Sequence, residues 1–193
     1  MNDSVRERIS QWATPVEDIL AVVAESRATA LPDFEWQQAF DDLLRLSRGG
    51  DCSYDRPSIG VQCAVWYGMR RVEGAVRSLG PALLERPGDL SVVDLGCGCG
   101  AGAWAVALVE AARVAVGGAP RRVDVVAVDA SPFMLDVARG LWSELEGWLR
   151  AQHPGVVVEV EWRLQSWGTG EAASAAQRIA FGAYLFDWSD LER

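Results

Sequence analysis

The segment Val92-Val93-Asp94-Leu95-Gly96-Cys97-Gly98-Cys99-Gly100-Ala101-Gly102 decides the reading of this chain. A short apolar run, Leu90 to Leu95, carries an acid near its end and runs into a glycine cluster. An alanine-rich stretch, Ala101 to Val116, follows at once. Short apolar runs of this kind mark strands buried on both faces of a parallel sheet. Glycine lets the backbone take positive φ and approach a ligand closely. A helix that starts directly behind such a turn aims free N–H groups and its positive dipole end at that ligand.

The same grammar continues toward the C-terminus. Gly117 to Pro120 is a turn, and Val123 to Val128 is a second strand ending at Asp129. Ser131-Pro132 starts a helix that runs to about Ala151. Val156 to Trp162 is a third strand, Gly168 to Gln177 a polar connection with one helical turn, and Ile179 to Phe186 a fourth strand. Strands alternating with helices predict βαβ crossovers and an α/β, doubly wound, mostly parallel sheet of the Rossmann-like type. Toward the N-terminus the chain reads as helices: Val5 to Trp12, a second entered through Thr14-Pro15 as cap and first helical residue, Phe34 to Ser47, and Ser58 to Leu79. Pro81 to Arg86 adds one turn. Residues 1–88 are thus expected to form a helical lid or recognition segment, and residues 89–193 the ligand-binding domain.

Glycine spacing alone leaves the ligand open. Gly96, Gly98 and Ala101 also fit the dinucleotide pattern G-x-G-x-x-A. Asp94 discriminates further: a carboxylate two residues before the first glycine repels a pyrophosphate and suits a cationic ammonium group. Asp129, with Ala130 beside it, can accept both hydroxyls of a ribose, a role common to several nucleotide-binding sheets. The two acids end adjacent strands and are expected to face one crevice.

Val92 to Gly102 resembles motif I of the class I S-adenosylmethionine (SAM) dependent methyltransferases. Asp129 followed by Ala-Ser-Pro-Phe-Met-Leu resembles their segment behind the second strand. The resemblance implies Asp94 near the methionine moiety, Gly96, Cys97, Gly98 and Gly100 against the cofactor, and Asp129 on the ribose. It also implies that the loop Leu164 to Gly168 meets the adenine, with Gln165 or Ser166 bonding the base and Trp167 stacking on it. Tyr184 and Asp187, behind the fourth strand, are the candidates for catalysis: an aromatic face near the sulfonium and a carboxylate for the acceptor or its proton. A narrower likeness connects Tyr54-Asp-Arg-Pro57, motif I and Ala183 to Asp187 with the small-ribosomal-subunit methyltransferase-like proteins. Gly182 and Asp187-Trp188 depart from that pattern, and its downstream cysteine cluster is absent from this sequence.

The resemblance implies methyl transfer to an unidentified small molecule, protein or RNA. Two other classes stand beside it. One is a non-catalytic SAM-binding or assembly module, completed by a partner chain at the open edge Ile179 to Phe186. The other is an NAD-dependent oxidoreductase, which Asp94 disfavours. A full class I domain has seven strands. Those beyond the fourth need roughly 60 to 80 more residues, so a fragment, a shortened module or a partner-completed sheet is expected.

Composition narrows the classes. The chain has 193 residues, half of them hydrophobic, which suits one core of ordinary size. No apolar run reaches the roughly 20 residues of a membrane span, and Met1 to Ser10 is polar, so a cytoplasmic location is expected. The net charge of −9 argues against autonomous nucleic-acid binding. It leaves open a local basic patch at Arg70, Arg71 and Arg77. Cys97 and Cys99 are one residue apart, closer than zinc ligands are usually spaced, and no metal is expected. His153 is read as a solvated loop residue.

Overall fold

The computed structural model describes residues 3–48, 54, 56–165 and 178–182. Among these described residues, six helices and four strands follow in the order α1 (Asp3–Gln11), α2 (Ala13–Ala28), α3 (Asp33–Ser47), α4 (Pro57–Glu85), β1 (Leu90–Leu95), α5 (Ala101–Ala115), β2 (Arg122–Asp129), α6 (Pro132–Gln152), β3 (Val157–Leu164) and β4 (Arg178–Phe181). The strands form one parallel sheet in the order β3-β2-β1-β4. The chain is therefore α/β with a Rossmann-like sheet, as the strand-helix alternation predicted.

The order explains where a ligand site lies. The chain steps from β1 to β2 to β3 in one direction and then returns to pair β4 on the other side of β1. Such a reversal opens a crevice at the carboxyl ends of the strands. Both early crossovers step the same way, and right-handed crossovers then place α5 and α6 on one face of the sheet. Val123, Val125 and Ala127 of β2 point into the core, as does Val158 of β3. Asp124, Glu159 and Arg122 alternate with them and pair among themselves, Arg122 to Asp124 at 2.8 Å and to Glu159 at 2.7 Å.

α5 is buried on nearly every side, from Gly102 to Ala112. It lies between the sheet and α4, which explains its alanine content: small side chains let two layers approach one helix. One core is continuous from Val16 and Leu20 of α2, through Val72, Val76 and Leu83 of α4, to Val92 and Ile179 of the sheet. The change of sequence grammar near residue 88 thus lies within a shared core. Farther out, α3 is fixed on α4 by Gln62, which donates to the Trp36 carbonyl at 2.8 Å, and by Ser58, which donates to Glu35 at 3.1 Å.

The structure corrects several details. α2 starts at Ala13, with Trp12 in the cap position and no side-chain cap bond. Pro15 falls in the first turn, where its missing N–H has no intrahelical acceptor to lose. Pro81 does not end the long helix. α4 runs through it to Glu85 because Leu83 is buried and Arg121 bonds the Leu83 carbonyl at 2.7 Å. His153 packs between Trp12 and Trp148, with ring centroids 4.6 and 5.3 Å away, and partial burial lowers its pKa.

Glu110 is the polar exception inside α5. Its side chain is 3% exposed and meets Arg113 and the 6% exposed Arg121. Arg121 also donates to the carbonyls of Leu83 and Arg86, so it joins the end of α4 to α5 and β2. Arg121→Met leaves Glu110 with Arg113 alone and takes the side-chain donor from the Leu83 and Arg86 carbonyls, a change that costs about 1–3 kcal/mol. Urea unfolding is expected to show a lower midpoint with an unchanged slope.

Candidate active site at the glycine loop

β1 delivers Asp94 to the carboxyl end of the sheet, between Ala127 of β2 and Phe181 of β4. The chain then turns through Gly96, Gly98 and Gly100, all with positive φ. At Gly100, φ is +85°, and a Cβ would stand 3.0 Å from the Trp162 ring. Trp162, on β3, covers the loop from one side together with Val160.

Asp94 is the unusual residue. Its side chain is 1% exposed, and Oδ2 has no hydrogen-bond partner among the described residues. The Gly102 backbone N–H donates to the carboxylate, but burial and the nearby Asp129 charge outweigh it and push the pKa up to about 7. A small cavity of about 20 Å³ opens beside it, walled by Gly96, Cys97, Gly102, Phe181 and Arg71. A volume of that order admits one water-sized group.

Asp129 closes the loop onto β2. One oxygen accepts from the Gly98 N–H at 2.8 Å, the other from the Ser131 N–H at 2.9 Å. Each carboxylate oxygen has a second lone pair, so hydroxyl donors can still be bound. The N-cap of α6 is Ser131, as expected, with Oγ accepting from Met134 N at 3.2 Å. The same hydroxyl donates to the Tyr54 carbonyl at 2.7 Å, which fixes the chain ahead of α4 over this end of the sheet. β3 reaches two residues past its predicted end, so Leu164 belongs to the strand and Gln165 follows directly. The Gln165 N–H donates to the Asp129 carbonyl at 2.9 Å.

The predicted residues therefore separate into groups. Asp94, Gly96, Gly98, Gly100, Asp129 and Gln165 gather at one strand end, with Ala130 exposed beside Asp129. Cys97 belongs to the loop, but its N–H bonds the Val128 carbonyl at 2.9 Å and its side chain is buried against Ala127 and Leu135. Burial pushes both the Cys97 and Cys99 thiols far up, so neither is a nucleophile at neutral pH. Ser166, Trp167, Tyr184 and Asp187 lie outside the described residues.

Sequence reading missed two participants. Arg71 belongs to the cavity wall: its guanidinium carbon lies 5.4 Å from the Tyr67 ring centroid, and Nη1 lies 3.5 Å from where a Gly98 Cβ would stand. Arg70 and Arg77 remain exposed, so the basic patch divides. Gly102 is the second, since a Cβ there would stand 2.2 Å from Asp94 Oδ2. Its signal was present, because glycine inside a helix costs about 1 kcal/mol relative to alanine and asks for a packing reason.

No family model matches this chain, and no curated protein matches it. A solved structure from the conversion of a disulfide bond into a thioacetal group during echinomycin biosynthesis is 31% identical over 45% of this chain, with a TM-score of 0.22. The matched part spans 28% of that protein, well under a third of its length. Among the described residues no helix is long and apolar enough to cross a membrane. None of them form a cluster of three or more His, Cys, Asp or Glu side chains fit to hold a metal ion.

Proposed function

We propose that this chain carries the SAM-binding half of a methyltransferase site. The observation that supports this reading best is the buried Asp94 carboxylate with one oxygen unpartnered among the described residues. Burying a polar group without a partner costs free energy, and a ligand ammonium group would remove that cost. The loop around it is also wrong for a pyrophosphate. The Gly98 N–H, which a phosphate would need, is held by Asp129, and two carboxylates stand at the loop against one guanidinium, Arg71, in the cavity wall. The acceptors fit SAM: Asp94 for the ammonium group, the free lone pairs of Asp129 for ribose hydroxyls, with Gln165 beside Asp129.

SAM supplies a methyl group already activated by a sulfonium. The chain's part is to orient donor and acceptor and to exclude water. Asp129 keeps the glycine loop against β2, and Trp162 covers it. The sequence reading puts the Tyr184 ring near the sulfonium and gives Asp187 to acceptor binding or proton removal.

Calorimetric titration with SAM and S-adenosylhomocysteine tests the proposal. Wild type should bind both, and Asp129→Ala should weaken binding at least tenfold, because hydrogen bonds to a charged group contribute about 1.5–3 kcal/mol each. Unchanged affinity in the variant, or tighter binding of NADH than of SAM, would overturn the reading. Turnover of SAM to S-adenosylhomocysteine separates an enzyme from a SAM-holding assembly module.

A further inference from the structure

We propose that a second site, distinct from the glycine loop, binds a small amphipathic carboxylate. α1, the start of α2, α4 and α5 line a half-open cavity of about 290 Å³. Its floor is Val16, Val72, Val76 and Leu108, all buried, so it cuts into the core rather than following the surface. Ligand pockets in proteins begin at about this size. At roughly 30 Å³ per atom-sized group, the cavity takes a chain of about ten carbons.

A hydrocarbon chain makes dispersion contacts with this apolar floor. The rim selects the charge of the ligand. It carries Arg6 and Arg77 against a single acid, Glu73. The Arg77–Glu73 pair spans 3.4 Å between two exposed side chains. Pairs of that kind contribute little, so Arg77 can turn to a bound anion while Arg6 completes the charge match. A carboxylate suits both guanidinium groups, which present paired donors. The cavity and the one beside Asp94 have no lining residue in common. The inference therefore stands apart from the methyltransferase reading.

The probe is decanoate, titrated into the full chain by calorimetry beside decyltrimethylammonium. Decanoate should bind with one-to-one stoichiometry and at least tenfold tighter than the cation. Ala13 is exposed at the mouth, so Ala13→Trp blocks entry without touching the core and should abolish binding. The double variant Arg6→Gln, Arg77→Gln should weaken decanoate tenfold or more and leave the cation unaffected. Both variants should melt within a few degrees of wild type. If Ala13→Trp does not fold, the double arginine variant decides. Equal affinity for the two probes, binding of many decanoate molecules without saturation, or binding insensitive to the variants would each overturn the proposal.

Discussion

Asp94→Asn is expected to make the protein more stable and, on the reading proposed above, to abolish SAM binding. Asp94 is buried, and its pKa is raised from 3.8 to about 7, first by loss of solvent and then by the charge of Asp129. A rise of that size, at roughly 1.4 kcal/mol per pKa unit, amounts to about 4 kcal/mol at most. The sign follows from proton uptake. Between pH 4 and pH 7 the folded chain holds a proton on Asp94 that the unfolded chain has released. The contribution of this group to stability is complete below pH 4 and is lost as pH rises through 7.

Asparagine keeps the shape and the acceptor for the Gly102 N–H, and it carries no charge. The gain in melting temperature should thus be near zero at pH 4 and reach on the order of 5–10 °C at pH 8. SAM binding should respond in the opposite sense. A ligand ammonium group needs the ionised carboxylate, so wild-type affinity should fall about fivefold from pH 7 to pH 6, and Asp94→Asn should bind at least a hundredfold more weakly at pH 8. Melting curves and titrations at the two pH values check both halves. A variant no more stable than wild type at pH 8 would show that the carboxylate is compensated. A variant that still binds SAM would remove Asp94 from the site.

Much of this arrangement was legible because it is local in sequence. The strand, the positive-φ turn and the helix behind Asp94 follow one another within a dozen residues, and each has its own residue signature. Asp129 was legible for the same reason, as an acid at the end of a β-branched run. What escaped reading depends on contacts between distant segments. Arg71 reaches the glycine loop only because α4 lies against α5, and nothing in its own helix distinguishes it from Arg70. Pro81 reads as a break because the helix-ending tendency of proline is local, whereas the burial of Leu83 and the Arg121 bond that override it are not. His153 looked solvated beside Pro154-Gly155, but Trp12, some 140 residues away, supplies its cover. The single-residue spacing of Cys97 and Cys99 indicated a tight turn, while the inward direction of the Cys97 side chain came from packing on Leu135.

Gly102→Ala is expected to damage the site more than any other substitution of one hydrogen by a methyl group. The new Cβ would stand 2.2 Å from Asp94 Oδ2 and 2.6 Å from its Cγ, well inside contact distance. Neither partner can easily yield. Gly102 lies in the first turn of a helix pressed between α4 and the sheet, and Asp94 is anchored by its strand. Overpacking of this kind costs about 1–3 kcal/mol, and the carboxylate must leave the position from which it would hold a ligand. SAM binding should then be lost along with stability.

A double-mutant cycle separates this from ordinary damage to the helix. In an Asp94→Ala background the obstacle is gone, and alanine is favoured over glycine inside a helix by about 1 kcal/mol. Gly102→Ala should therefore destabilise wild type and stabilise the Asp94→Ala variant, a change of sign between two contacting residues. If the substitution destabilises both backgrounds equally, Gly102 is required by the packing of α5 against α4. A reversal would show that this glycine is kept for Asp94, and hence that the chain bears the cost of a helical glycine and a buried acid for the sake of the site.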